Sequence, residues 1–380
     1  VITGRIGRGA RLIGAAVRQE HARLALGRLK GGAQKLGQTL ALVADGMPDE
    51  VRRQMGALFS AAEPVPWSTL APELEALPAD LRAALTVDPE PLAAASVGQV
   101  HRGRLDGVEV VVKVLYPDIT RALTADLDNL AGVAAPARLF GGADATLTGL
   151  RAHLLAELDL RVEAQRAQQI ADAVAPWPHL RVAVPVAATE RVLVAPHLPG
   201  STLHDTLPPE GAGPADPHGL AGLLVAAVFG PVFRAGVVNA DGHPGNFVVT
   251  PGGLGLIDFG AVAPVPDVPR LGATLDRLLV GDTRGALDGL GVRAGPLEAE
   301  LGVLLGPLGP GAWPFGRDDL MEQLGQIKRR HPFAIREVPF DPARLPLIRA
   351  TIGLHHALRR LGVDFALGAC LADVRAAAAR

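Results

Sequence analysis

The spacing of apolar and polar positions changes character several times along the chain. Ile6, Leu12, Ile13, Val17, Leu24 and Leu29 recur at loosely helical intervals, and Leu36, Leu40 and Val43 continue the pattern. Residues 45–90 read as further short helices, set apart by Pro48, Pro64, Pro66, Pro72 and Pro78. The period then shortens. Residues 97–105 and 108–115 read as two strands joined by Asp106-Gly107, a dipeptide suited to a tight hairpin. From 118 to 169 the spacing is helical again, and 180–186 and 191–194 read as strands. Residues 196–200 read as a linker, and the Pro/Gly-rich stretch 207–217 as an exposed loop. The apolar run 220–233 is broken by Pro231 and stopped by Arg234, a length that suits a buried helix better than a membrane span. Past residue 258 the segments 268–307, 318–331 and 342–378 read as mainly helical.

Composition narrows the class. Of 380 residues, 48% are hydrophobic, which excludes a disordered chain, while the 4% aromatic share makes the core mostly aliphatic. A formal net charge of -2 gives no global argument for nucleic acid, and none is expected as a partner. The single cysteine, Cys370, rules out an internal disulfide framework and a Cys-based zinc site, and is compatible with a reducing compartment. No signal peptide is read in the sequence. Charge is uneven: in residues 1–30, Arg5, Arg8, Arg11, Arg18, Arg23, Arg28 and Lys30 face only Glu20. That face is either the solvated side of an ordinary amphipathic helix or a contact with an anionic membrane surface.

The chemistry concentrates around Asn239-Ala240-Asp241-Gly242-His243-Pro244-Gly245-Asn246, followed by Asp258-Phe259-Gly260. Phosphoryl transfer needs a carboxylate beside the attacking group and oxygen ligands that hold Mg2+ against phosphates, and Asp241, Asn246 and Asp258 are candidates for those parts. Asp241 and Asn246 keep the spacing of acid and metal-binding Asn in a kinase catalytic loop. Lys113 sits in an otherwise apolar strand, so its ammonium is expected to face a charged partner. The small-residue loop Ala93 to Val100, with Ala94, Ala95 and Ser96, stands where a phosphate-covering loop precedes such a lysine. Glu157, Asp159 and Glu163 lie close together in a helical stretch. Asp159 and Glu163 are read on one face with no intervening base, which suggests that they answer a cation, either Lys113 or Mg2+. His197 and Leu198 lie where an adenine-binding hinge would fall. Lys35 and Gln38, three apart on a helix, read by themselves as a surface pair.

In this order, the motifs resemble the UbiB/AarF family of atypical protein-kinase-like proteins, also called the ADCK type. The resemblance rests on Lys35-Leu36-Gly37-Gln38, the alanine-rich loop 93–100, Glu157-Leu158-Asp159 with Glu163, and the Asp241/Asn246/Asp258 set. It implies an α+β, protein-kinase-like two-lobed fold: a helical N-terminal extension over 1–90, a kinase-like lobe over 91–195 and a mostly helical lobe over 196–380. By the same resemblance Lys113 contacts nucleotide phosphates with Glu163 as its partner, Asp241 is the catalytic acid, and Asn246 and Asp258 are metal ligands. Ala94, Ala95, Ser96, His197 and Leu198 line the nucleotide. Lys35 and Gln38 cover the active site and meet Glu157 and Asp159, closing the groove that would hold a peptide. ATP or ADP with Mg2+, an unconventional ATPase activity, and support of isoprenoid-quinone or other lipid metabolism follow as expectations. The expected location is cytoplasmic, either free or peripheral at the inner face of a membrane. Two positions depart from the pattern: Pro196 removes a hinge N–H, and Asn239 stands where a His-Arg-Asp triplet has His.

Two other classes are weighed. A nucleotide-sensing pseudokinase scaffold would keep the fold and turn nothing over. A small-molecule phosphotransferase of the aminoglycoside or choline type shares the Asp-x-His-Pro-Gly-Asn loop but lacks the Lys-x-Gly-Gln and alanine-rich motifs.

Overall fold

The computed structural model describes residues 64–94, 97–121, 124, 158–208, 211–290, 298–317, 320–330 and 341–380. The basic stretch 1–30, Lys35, Gln38, Ala95, Ser96 and Glu157 lie outside the described residues. The chain forms two compact units, Val1–Ala164 with Pro185–His197, and Gln165–Val184 with Leu198–Arg380.

The first unit begins with helix α1 (Trp67–Leu70), a 3-10 turn Ala71–Ala76 and helix α2 (Ala79–Ala84). Strand β1 (Leu85–Ala94) follows, then β2 (Gly98–Leu105) and β3 (Val108–Leu115). Residues 85–90 are therefore strand, where the proline spacing had suggested helix. Leu85 already adopts extended angles, and the prolines at 89 and 91 fit because β1 is an edge strand. Pro91 also lies at irregularities in the β1–β2 register, where a missing N–H costs no ladder bond. The β2–β3 hairpin forms as the sequence suggests. Asp106 and Gly107 both take positive φ, 49° and 80°, which matches the twist of the flanking strands.

After helix α3 (Leu160–Val174) and strand β4 (Leu180–Val182), the first unit is completed by β5 (Ala187–Ala188) and β6 (Val192–Pro196). The sheet order is β1-β2-β3-β6-β5. The strand expected over 180–186 stops at Val182. Residues 180–182 join the second unit's sheet, while Pro185 onward belongs to the first. On β3, Val110, Val112 and Val114 are buried, and the alternate positions Val111 and Lys113 are half-buried on the other face. The segment from Val65 to Leu77 is fastened to this sheet. Leu70 and Leu77 are buried, Glu73 pairs with Arg191 at 2.7 Å, and fully buried Gln99 of β2 exchanges hydrogen bonds with the backbone of Val65.

The second unit contains β7 (Ser201–Thr202), α4 (Leu203–Thr206) and the long helix α5 (Pro217–Ala235). The Asp216 side chain caps the start of α5 by accepting from Gly219 N, Pro217 needs no amide partner there, and Gly236 closes the helix at φ 64°. Length and composition would let α5 cross a membrane, but 61% of its apolar window is buried within the protein, as a core helix requires. Leu224, Val225, Val228 and Val232 anchor the main apolar cluster with Leu254, Phe259, Leu354 and Leu371.

Strands β8 (Val237–Asn239), β9 (Phe247–Thr250), β10 (Gly253–Leu256) and β11 (Val262–Pro264) carry the chain through the candidate site. They form a sheet of order β4-β10-β9-β7 and a β8–β11 pair. Helices α6 (Val268–Leu279), α7 (Thr283–Gly289), α8 (Glu298–Leu304) and α9 (Leu320–Arg330) follow. A short bridge joins β12 (Trp313–Pro314) and β13 (Asp364–Phe365), and α10 (Leu345–Leu361) and α11 (Leu367–Ala378) pack against α5.

Candidate functional site

In the first unit, the strand lysine finds its charged partner. Lys113 Nζ donates to Glu163 Oε1 at 2.9 Å and to Oε2 at 2.7 Å, with side-chain exposures of only 15% and 9%. Glu163 lies in the first turn of α3, where a carboxylate also meets the positive end of the helix dipole. The bidentate contact holds the ammonium on the half-buried face of β3, beside Val111.

Asp159 does not join that pair. It precedes α3 rather than lying within it. Its carboxylate accepts from Arg161 Nε at 2.9 Å, from Arg161 Nη2 at 2.8 Å and from the Arg161 amide at 3.0 Å. The sequence reading placed Asp159 and Glu163 on one face with no base between them; α3 begins only at Leu160, so Asp159 stands outside it and meets Arg161 instead. The Arg161 side-chain hydrogen bonds, outweighing desolvation, hold the Asp159 carboxyl below the usual carboxylate range.

At the far end of the sheet, His197 N donates to Glu109 O at 3.1 Å and its ring stands 3.5 Å from the Glu109 carboxylate. His197 lines a cleft of about 330 Å³ together with Thr86, Asp88, Arg102, Arg104 and Glu109. Pro196 is the last residue of β6, opposite Val110. Ala94 ends β1 opposite Gln99, and Leu198 begins the next stretch of the second unit.

The second unit gathers Asp241, Asn246 and Asp258 around one network of backbone and amide bonds. Asn239, the last residue of β8, accepts from Asp241 N through Oδ1 at 3.2 Å and donates through Nδ2 to Asp258 O at 2.9 Å. It therefore ties the catalytic-loop candidate to the Asp-Phe-Gly turn, a support different from that of a His-Arg-Asp triplet. Asn246 Nδ2 donates to Asp241 O at 3.3 Å, and Ile257 N donates to Asn246 O at 3.0 Å. His243 Nδ1 accepts from Gly245 N and shapes the 3-10 turn Pro244–Asn246. Asp241 is 3% exposed.

Asp258 adopts φ 65°, a left-handed conformation that aspartate tolerates better than most residues, and its Oδ1 accepts from Gly260 N at 3.2 Å. Phe259 is buried in the core cluster behind this turn. Arg166 of α3 donates through Nη1 to Gly260 O at 2.6 Å.

The donor set fits Mg2+. With Nδ2 of Asn246 committed to Asp241 O, its Oδ1 remains an oxygen donor, and Asp258 supplies a carboxylate. Among the described residues no group of three or more His, Cys, Asp or Glu forms a protein-only metal cage.

Several contacts escape a motif-based reading. Arg166 and Asn239 hold the turn and loop, and Gly353 of α10 lies so close to Gly242 that a Cβ there would stand 2.7 Å from Gly242 O. His101 of β2, fully buried, contacts the Asp88 carbonyl through Nδ1 at 2.8 Å and Gln99 Nε2 through its other nitrogen at 3.2 Å. Gln99 and His101 carried a readable signal, two polar residues on the inward face of an alternating strand. Arg166 and Gly353 carried none.

A family model described as the ABC1 atypical kinase-like domain matches residues 59–275. The "Probable protein kinase UbiB" of Vibrio atlanticus is 33% identical over 242 residues, 60% of this chain and 44% of that protein. The rat "Atypical kinase COQ8B, mitochondrial" is 34% identical over 176 residues, 43% of this chain and 33% of that protein. The chain thus spans less than half the length of these two curated relatives. A solved structure from Mycobacterium tuberculosis, the complex of Rv3197 with erythromycin, superimposes with a TM-score of 0.59 at 26% identity. That match covers 96% of this chain and 97% of the other.

Proposed function

This chain belongs to the ABC1 atypical kinase-like family of UbiB- and COQ8-type proteins, and on that premise we propose that it is a Mg2+-dependent ATP- or ADP-binding enzyme, an atypical ATPase supporting isoprenoid-quinone or other lipid metabolism. The observation that carries the reading is the Asn239 bridge, which gathers the acid and metal-ligand candidates Asp241 and Asp258 into one network with Asn246. In this reading Lys113 meets nucleotide phosphates with Glu163 fixing its ammonium, and Asp241 accepts a proton from the attacking group. Asn246 and Asp258 hold Mg2+, which supplies charge neutralisation at the phosphate oxygens when bound. Ala94, Ala95, Ser96, His197 and Leu198 border the nucleotide. Residues 1–90 act as the covering extension, with Lys35, Gln38, Glu157 and Asp159 closing the peptide groove. Residues 1–30 touch the inner face of a membrane.

A thermal-shift panel of ATP, ADP and GTP, with and without Mg2+, run beside an ATPase assay on liposomes, tests the reading. Erythromycin belongs in the panel because the similar mycobacterial protein was solved with it. The expected result is Mg2+-dependent stabilisation by an adenine nucleotide and slow hydrolysis. Asp258→Asn is expected to abolish the metal-dependent part of the shift, and unchanged binding in that variant removes the metal role. A panel flat for every nucleotide replaces the enzyme by a scaffold.

A further inference from the structure

The Asp-Phe-Gly turn is held from three sides. Asn239 holds the carbonyl of Asp258, the Asp258 carboxylate holds the amide of Gly260, and Arg166 holds the carbonyl of Gly260 at 2.6 Å. Only the third contact comes from a charged side chain outside the two motifs, reaching 94 positions along the chain. Asp258 already occupies a left-handed conformation, and nothing in its own backbone prefers that well over the broader right-handed and extended regions. A turn in that state stays put only when its surroundings over-determine it. Phe259 supplies apolar burial on one side, and a charge-assisted hydrogen bond from a guanidinium to the Gly260 carbonyl fixes the peptide plane on the other.

We infer that Arg166 is a positioning residue for the metal site: by gripping Gly260 it sets the orientation of the Asp258 carboxylate. The inference rests on the Mg2+–nucleotide reading above and adds to it a residue outside the motifs. Arg166 stands on α3 three positions after Glu163, so this short helix segment carries both the partner of the phosphate lysine and the clamp of the metal turn. A guanidinium suits the second task because its planar fork is pre-organised, stays charged and presents its N–H groups in fixed directions to a carbonyl.

The test compares Arg166→Gln and Arg166→Lys with the unaltered chain, reading nucleotide-dependent thermal stabilisation across a Mg2+ titration. Arg166→Gln is expected to raise the Mg2+ concentration at half-effect on the order of tenfold, from loss of one charged hydrogen bond, while leaving metal-free nucleotide binding unchanged. Arg166→Lys, which keeps a cationic donor, is expected to fall between the two and provides the readout should the glutamine variant not fold. A Mg2+ midpoint unmoved in both variants overturns the inference, as does equal weakening with and without the metal. Hydrogen exchange at the amides of Gly260 and Val262 separates this outcome from failure of the nucleotide reading. If the unaltered chain binds no nucleotide, the enzyme assignment falls, and Arg166 is judged by exchange alone. Faster exchange confined to the turn in the variants keeps it as the clamp of Asp258, and unchanged exchange removes it.

Discussion

Lys113 illustrates how one residue's environment constrains chemistry. An ammonium placed among valines is costly unless paired, and Glu163 supplies both carboxylate oxygens at hydrogen-bond distance. Removing one partner leaves the other charge largely buried, which costs about 3–5 kcal/mol in comparable pairs. Glu163→Ala is therefore expected to lower the free energy of unfolding by about 3 kcal/mol in urea denaturation, and Lys113→Met/Glu163→Leu to recover most of it. A single-variant loss below about 1 kcal/mol would show that solvent screens the pair. The residue scale also corrects a simple motif reading. Asp159 and Glu163 are four apart, yet Asp159, outside the helix, closes on Arg161 while Glu163, within it, closes on Lys113, because the helix begins only at Leu160.

At the scale of elements, the hairpin and the Asp241–Asn246 loop were legible because their geometry is local. Asp106-Gly107 dictates its own turn, and Asn239, Asp241 and Asn246 bond within a span of eight residues. Strand β1 was not legible. Its prolines resemble helix punctuation until the edge position and the irregular register show that no ladder bond is lost. Helix α10 offers a cleaner test. A Cβ on Gly353 would stand 2.8 Å from Gly242 Cα, whereas one on Gly222 in α5 meets nothing within 4 Å. Both glycines are in helix interiors, where alanine gains roughly 0.5–1 kcal/mol from propensity alone. Gly222→Ala should thus raise the melting temperature, while Gly353→Ala should lower it and reduce nucleotide-dependent stabilisation, because α10 must move off the loop that carries Asp241. Equal gains in both variants would show that the loop yields freely.

For the whole molecule, the family match covers 59–275, and the proposed site residues are distributed over two compact units. The extension proposed to cover the site extends the prediction to Lys35. Lys35→Ala is expected to change either self-phosphorylation or the preference between ATP and ADP, measured by labelled-phosphate incorporation and by competition binding. If neither changes, Lys35 returns to being half of a surface pair with Gln38. The Val65 end of that extension is fastened by buried Gln99, whose amide answers both the N–H and the carbonyl of Val65. A buried amide so fully satisfied fixes one register for the segment against the sheet.

The sequence by itself determined what depends on near neighbours: the hairpin, the long buried helix α5, the Asp241–Asn246 spacing and the Asp-Phe-Gly turn. It also required that Lys113 have a charged partner, and the family resemblance pointed to Glu163. Tertiary structure decided which distant groups actually meet. The separation of 50 positions from Lys113 to Glu163, that of 94 from Arg166 to Gly260, and the approach of Gly353 to Gly242 are bridged only by packing. Periodicity tells which face of an element is buried, but not which residue of another element lies against it. That is set by how side-chain volumes and a few satisfied polar contacts close the core.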